Sequence, residues 1–330
     1  MRRVPIAEIR TGDRLGRDVH TTPDALPLLR AGVRLSDSYR HSLQRAGIPS
    51  VWIDDVFSEG IEPLEVLEES TKQRATAAVH EALRNVSESM PRGGRLSANV
   101  AQEMNEVAEL IISDIARNIE SALALNDLAN ADGYTLKHSL AVTTLGLSLG
   151  LRVMRKHGWV DAHGKRRFDD VEGRLAPLGV GLLLHDIGKL AVPHEILHKP
   201  GALNGEEWEA IRAHPMLGVQ MLQKASGISP LARAVVRSHH ERWNGSGYPE
   251  GRVGVEIHQF ARIAAAADVF DALTSDRSYR GALPAYEGYD MVIRGAGSDS
   301  ILKSWTSSGR LSRRIRPAHR WCSQTASAAW

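Results

Sequence analysis

The chain has 330 residues, a 42% hydrophobic fraction and a net charge of +2, a size and composition that suit roughly two or three globular units with real cores. Its one cysteine, Cys322, excludes a disulfide framework or a thiolate metal site and points to a reducing compartment. The start Met1-Arg2-Arg3-Val4-Pro5 lacks an apolar signal segment, and the longest charge-free stretch, Ser139 to Leu151, falls far short of the roughly 20 residues of a membrane span, so the expectation is a cytoplasmic protein.

Charge is unevenly placed. Ser300 to Trp330 carries Lys303, Arg310, Arg313, Arg314, Arg316 and Arg320 with no acidic residue, which leaves the rest of the chain at −4. A mildly acidic body without a basic, aromatic-interleaved stripe argues against DNA as a partner.

Residues 1–60 read as a small α+β module of unknown role. Val4 to Ile9 and Val51 to Ile53 have strand composition, and Gly12-Asp13 and Ala31-Gly32 mark turns. Ser36 is placed to cap a helix that runs through Ala46 and stops at Gly47. Residues 62–88 read as helix, Met90-Pro91-Arg92-Gly93-Gly94-Arg95 breaks it, and a second long helix is expected from Ser97 to Ala129. Val107, Leu110, Ile111, Ile115 and Ile119 keep helical spacing there and require a partner face. These helices form a connector over 61–129. Beyond it the pattern stays helical almost to Gly295, with no alternating run long enough for a sheet.

Five elements of this helical region carry metal-ligand chemistry. His185-Asp186 ends the apolar run Leu182-Leu183-Leu184 and precedes Ile187-Gly188-Lys189. A charged pair at the end of a buried helix is costly unless compensated, and a metal ion is the usual compensator. Lys189 lies three residues after Asp186, within reach of the same groups. His138 alone means little. His214 precedes Pro215, which favours a break between two helices at that point. His239-His240 leads into Glu241-Arg242-Trp243-Asn244-Gly245-Ser246-Gly247-Tyr248-Pro249. Adjacent histidines on a helix diverge by about 100°, so both reach one ion only where the helix ends or distorts. Asp268 interrupts an alanine-rich apolar stripe, where an unpaired carboxylate is costly. Asp271, one turn on, suits a role orienting a ligand, as does Glu241. The remaining histidines, from His20 to His319, read as plain surface residues.

The ordered motifs HDIGK, HHE-x-x-x-G-x-G-Y-P and ADVFDALTSDRSYR resemble the HD-GYP phosphodiesterase family, which hydrolyses the bacterial second messenger cyclic di-GMP. The resemblance covers about residues 130–297. It implies a mainly α fold, a helical-bundle HD-type phosphohydrolase domain preceded by the small α+β module. It further implies two or three iron or manganese ions, metals suited to a sulfur-free ligand set. By position, one ion is held by His138, His185, Asp186 and Asp268. The other is held by His214, His239 and His240, with Asp186 bridging. A hydroxide bridging the cations then attacks the phosphodiester. Lys189 stabilises the transition state or protonates the leaving oxygen, and Arg277 and Arg280 hold the phosphates. Gly247 and Tyr248 shape the loop, where Tyr248 either stacks on a guanine, fixes the adjacent histidines or contacts a partner protein. Relatives with three ions carry a Glu one turn before the first histidine; Tyr134 stands there, so two ions are expected, and the product is pGpG or GMP.

The resemblance also admits a diguanylate cyclase (GGDEF) or other signalling protein as partner, and a homodimer. Two alternatives stand beside it: a hydrolase of another cyclic dinucleotide or nucleotide, and a non-catalytic cyclic di-GMP receptor or docking module. The complete ligand set and Lys189 argue against the receptor.

The tail departs from the family. After Arg294 to Gly297, relatives continue with a Phe-Asp-Pro-Glu-Val-Val type helix. Here Ser300-Ile301-Leu302-Lys303-Ser304-Trp305 opens an acid-free stretch containing three of the seven tryptophans. Back-translating Ser300 to Arg316 and shifting one nucleotide can restore that helix. The expectation is therefore a frameshift near Asp299, and a disordered tail over 298–330.

Overall fold

The computed structural model describes residues 1–19, 27–46, 48, 50–55, 66–117, 134–160, 165–199, 201–223, 225–275, 283 and 285–295. The expected tail over 298–330 and the substrate residues Arg277 and Arg280 lie outside these residues.

At the N-terminus, β1 (Arg2–Pro5), β2 (Arg14–Leu15), α1 (Asp37–Arg45) and β3 (Ser50–Asp54) follow in order. The sheet is antiparallel in the order β1-β3-β2, with Val4 opposite Val51 and Leu15 opposite Ile53. Period-2 alternation turns these four side chains to one face, where they meet Ile6, Ile9, Leu35 and Leu43 in a small core of their own. The segment read as one strand from Val4 to Ile9 changes form after Pro5, because Ile6–Glu8 is a 3-10 turn. Ile6 and Ile9, three apart, both stay buried on it. Ser36 caps α1 as expected, its hydroxyl accepting the Tyr39 N–H at 3.3 Å.

The helices that follow share one hydrophobic core. α2 (Glu69–Ser89) starts later than the expected residue 62, since 66–68 are non-helical. It reverses into α3 (Ala98–Arg117) through Gly93 and Gly94, both at positive φ. The stripe Val100, Met104, Val107, Ile111 and Ile115 of α3 is buried, with Leu110 at its margin. α4 (Tyr134–His157) is joined to α5 (Val171–Leu183) by a hairpin of β4 (Trp159–Val160) and β5 (Arg166–Arg167).

α5 is the central element. Leu178 through Leu183 are buried without interruption, so the helix is enclosed on all sides by α3, α4 and α9. A turn at His185-Asp186 leads into a 3-10 segment, Ile187–Ala191. Then come α6 (His194–Leu197), α7 (Gly205–Arg212), α8 (His214–Leu222), α9 (Pro230–Ser238), α10 (Gln259–Thr274) and α11 (Ala285–Gly295). Among the described residues, no helix is long and apolar enough to cross a membrane.

Candidate metal centre

Each motif histidine stands at or beside a helix end. His185 lies just past the end of α5, His214 opens α8 two residues beyond the end of α7, and His239 caps α9. The break expected before Pro215 thus falls at Ala213, between α7 and α8. His138 lies in the second turn of α4 and Asp268 within α10. Gly188 permits the convergence: a Cβ there would overlap the His214 carbonyl oxygen and press on the Gly218 backbone. Glycine alone lets the 3-10 segment behind Asp186 lie flat against α8, a role not read from the sequence.

His138, His185, Asp186, His214, His239, His240 and Asp268 are all buried, none more than 9% exposed. Their donor atoms fall into two overlapping sets, His138 with His185 and Asp186, and His214 with His239, His240 and Asp186. Asp186 belongs to both. Its Oδ2 lies 3.5 Å from His185 Nε2 and 3.7 Å from His138 Nε2, while its Oδ1 lies 3.4 Å from His214 Nε2 and 3.9 Å from His239 Nε2. Asp268 also touches both halves, through His138 Nε2 at 3.2 Å and His240 Nδ1 at 3.7 Å.

The hydrogen bonds behind the imidazoles fix what they present. His185 Nδ1 donates to the Leu182 carbonyl, His214 Nδ1 to Ile211 and His239 Nδ1 to Val236, each bond spanning three residues back into the preceding helix end. A carbonyl only accepts, so Nδ1 carries the proton and Nε2 keeps its lone pair. His138 Nδ1 likewise donates to Asp271 Oδ2 at 2.7 Å, and Asp271 is itself held by the Ser275 hydroxyl. Two pairs of such nitrogens then face each other, His138 with His185 and His214 with His239, each pair 3.2 Å apart. In the His214–His239 pair burial keeps both rings neutral, and two imidazoles meeting lone pair to lone pair call for a cation between them. Asp186 Oδ1, buried and accepting no hydrogen bond, needs the same. The donor set therefore fits divalent metal ions.

The titration behaviour follows from this wiring. Burial holds His214 down to about 4, His239 down to about 3, and His240 well below its ordinary value. Burial also lowers His138, but hydrogen bonds to Asp268 and Asp271 overcome it and raise the ring to about 9. In Asp186 burial favours the acid, and Lys189 with the surrounding histidines holds it far below the carboxylate range. Asp268 is likewise penalised by burial, yet His138 brings it to about 2. Lys189 Nζ sits 2.7 Å from Asp186 Oδ2.

The loop after His240 packs onto the site. Tyr248 is buried, its ring stacked on His240, and a Cβ at Gly247 would collide with the backbone of His240, Glu241 and Arg242. Glu241 orients the loop: its two oxygens accept the Glu250 and Arg252 N–H groups at 2.8 and 3.0 Å. Of the histidines read as surface residues, His194, His198 and His258 are exposed, but His157 is half-buried. His258 is a working cap, its Nδ1 accepting the Phe260 N–H at the start of α10.

Comparison with known proteins agrees with this arrangement. Residues 167–301 match the HD domain family. The cyclic di-GMP phosphodiesterase PA4108 of Pseudomonas aeruginosa is 30% identical over 304 residues, covering 85% of this chain and 69% of the relative. The 3'3'-cGAMP-specific phosphodiesterase 3 of Vibrio cholerae is 50% identical over 102 residues, which span 31% of this chain and only 22% of that protein. Among solved structures, Bd1817, an HDG"Y"P protein from Bdellovibrio bacteriovorus, shares the fold with a TM-score of 0.56 at 16% identity, over 91% of this chain and 95% of that one. With a relative this similar over most of its length and the motifs in their family order, the chain belongs to the HD-GYP phosphodiesterase family.

Proposed function

We propose that this protein is a metal-dependent phosphodiesterase that hydrolyses cyclic di-GMP, with iron or manganese as its metal and two ions per chain. The observation that carries this reading is the split of Asp186, whose two oxygens face different histidine pairs. His138, His185, Asp186 and Asp268 would hold one ion, and Asp186, His214, His239 and His240 the other. Bound divalent cations supply Lewis acidity and bring water to a reactive protonation state near neutral pH.

The protein's own groups do the rest. The Nδ1 hydrogen bonds fix five-membered rings whose Nε2 atoms need no reorganisation to face a cation. Asp186 keeps its charge through the nearby Lys189. Lys189, partly exposed at the edge of the buried set, is placed to offer positive charge or a proton to a phosphoryl or leaving oxygen. Arg277 and Arg280, spaced as in the family motif, would clamp the phosphates. Tyr134, where three-ion members place Glu, favours two ions.

The deciding experiment is hydrolysis of cyclic di-GMP by iron- and manganese-loaded protein with pGpG and GMP separated. Turnover supports the proposal. Metal bound without turnover of any cyclic dinucleotide favours a receptor or docking role. A second reading, 3'3'-cGAMP as substrate, is favoured by the 50% identity over 102 residues to the Vibrio cholerae enzyme. Assaying both dinucleotides in parallel separates the two by their kcat/KM ratio.

A further inference from the structure

We propose that Tyr248 is a positioning residue of the metal centre, acting through its ring on His240 and not through its hydroxyl or as a platform for a nucleobase. The inference rests on the metal-dependent reading above. Four of the five motif imidazoles, those of His138, His185, His214 and His239, are oriented by hydrogen bonds from Nδ1. His240 carries in addition an aromatic contact, the Tyr248 ring stacking on it at 4.7 Å between centroids and 27° between planes. The same ring stands edge-on to His214 at 6.5 Å, and the Arg212 guanidinium lies 5.0 Å from its centroid. Arg212 ends α7, two residues before His214. Tyr248 thus ties the end of α9 to the α7–α8 junction, the two places that supply this half of the ligand set.

The backbone holds the ring in register. Tyr248 N–H donates to the His240 carbonyl at 3.2 Å, so the stacked pair is also a hydrogen-bonded pair. Glu241, 3% exposed, clasps the chain that follows Tyr248 through the Glu250 and Arg252 N–H groups. Base stacking requires an open aromatic face, and Tyr248 is 9% exposed. Its hydroxyl is buried and makes no hydrogen bond within the protein, so removing it breaks no bond. The ring is what the fold uses.

Tyr248→Phe and Tyr248→Leu test this by equilibrium dialysis of Mn2+ together with kcat and KM for cyclic di-GMP. Phe should match the wild type within about twofold in all three quantities. Leu should weaken Mn2+ binding by roughly 10- to 100-fold and lower kcat with little change in KM. A raised KM with unchanged Mn2+ affinity in the Leu protein overturns the role in favour of a substrate platform. A large loss in the Phe protein overturns it in favour of the hydroxyl. Should the Leu protein not fold, the histidine ring spectrum of zinc-loaded wild type and Phe protein decides. Upfield-shifted His240 ring protons in both support the stack, and ordinary shifts refute it. A wild type that binds no Mn2+ removes the metal-dependent reading and this role with it, whereas equal binding by wild type and Leu protein removes only the role of Tyr248.

Discussion

Lys189 Nζ and Asp186 Oδ2 are 2.7 Å apart, and that oxygen is the one that faces His138 and His185. The other oxygen, Oδ1, faces His214 and His239 and accepts no hydrogen bond. The carboxylate therefore has one oxygen neutralised by a side chain and one that relies on a cation. Asp186→Ala removes the group common to both ligand sets. The expected result is loss of bound metal, measured by elemental analysis, and a fall in cyclic di-GMP hydrolysis of about a thousandfold or more, on the order of 4 kcal/mol of barrier. Full metal content in the Ala protein would contradict the shared-ligand geometry.

Lys189 should behave differently. It touches the bridging carboxylate but contributes no lone pair, so Lys189→Ala is expected to keep its metal. If its work is on developing phosphoryl charge, kcat should drop by roughly 10²- to 10³-fold, the scale of losing one preorganised donor. Normal turnover in that variant would remove Lys189 from the reaction.

Asp271 makes a subtler prediction. It accepts the His138 Nδ1 proton at 2.7 Å and is braced by Ser275, the arrangement that raises ligand basicity and fixes ring orientation. Asp271→Ala should lower metal affinity or activity by about 10- to 100-fold while leaving the fold intact. A metal titration of the variant against wild type reads this directly, and identical affinities would show that the α4 backbone alone positions His138.

How much of this was legible in the sequence depended on how local each signal was. His185-Asp186 and His239-His240 announce themselves because polar residues at the end of an apolar helix need an explanation nearby, and Ser36 because a cap acts three residues away. Gly188 was silent: its role is an approach to His214 and Gly218, a long way along the chain. The change of form after Pro5 was equally hidden, since β1 is defined by pairing with Ser50 through Ile53. The motif spacing placed Gly247 and Tyr248 near the histidines but could not say that the ring is buried, because that depends on Glu241 folding the loop back.

The metal-free protein should have a stability maximum near pH 6.5. His214 and His239 have folded values of about 4 and about 3, below the ordinary 6.5. Between those limits the unfolded chain binds more protons, so stability rises with pH up to about 6.5. Asp268, held at about 2, acts in the same direction at the acid end, its contribution being lost as pH falls from 3.8 toward 2. His138 acts oppositely. Its folded value of about 9 lies above 6.5, so its contribution is complete below pH 6.5 and is lost as pH rises toward 9. Thermal unfolding of chelator-treated protein from pH 4 to 9 should therefore trace a dome. In His138→Gln the alkaline fall should flatten while the acid limb remains. A monotonic rise of Tm to pH 9 in the unsubstituted protein would show that the Asp268 and Asp271 hydrogen bonds do not hold a proton on His138.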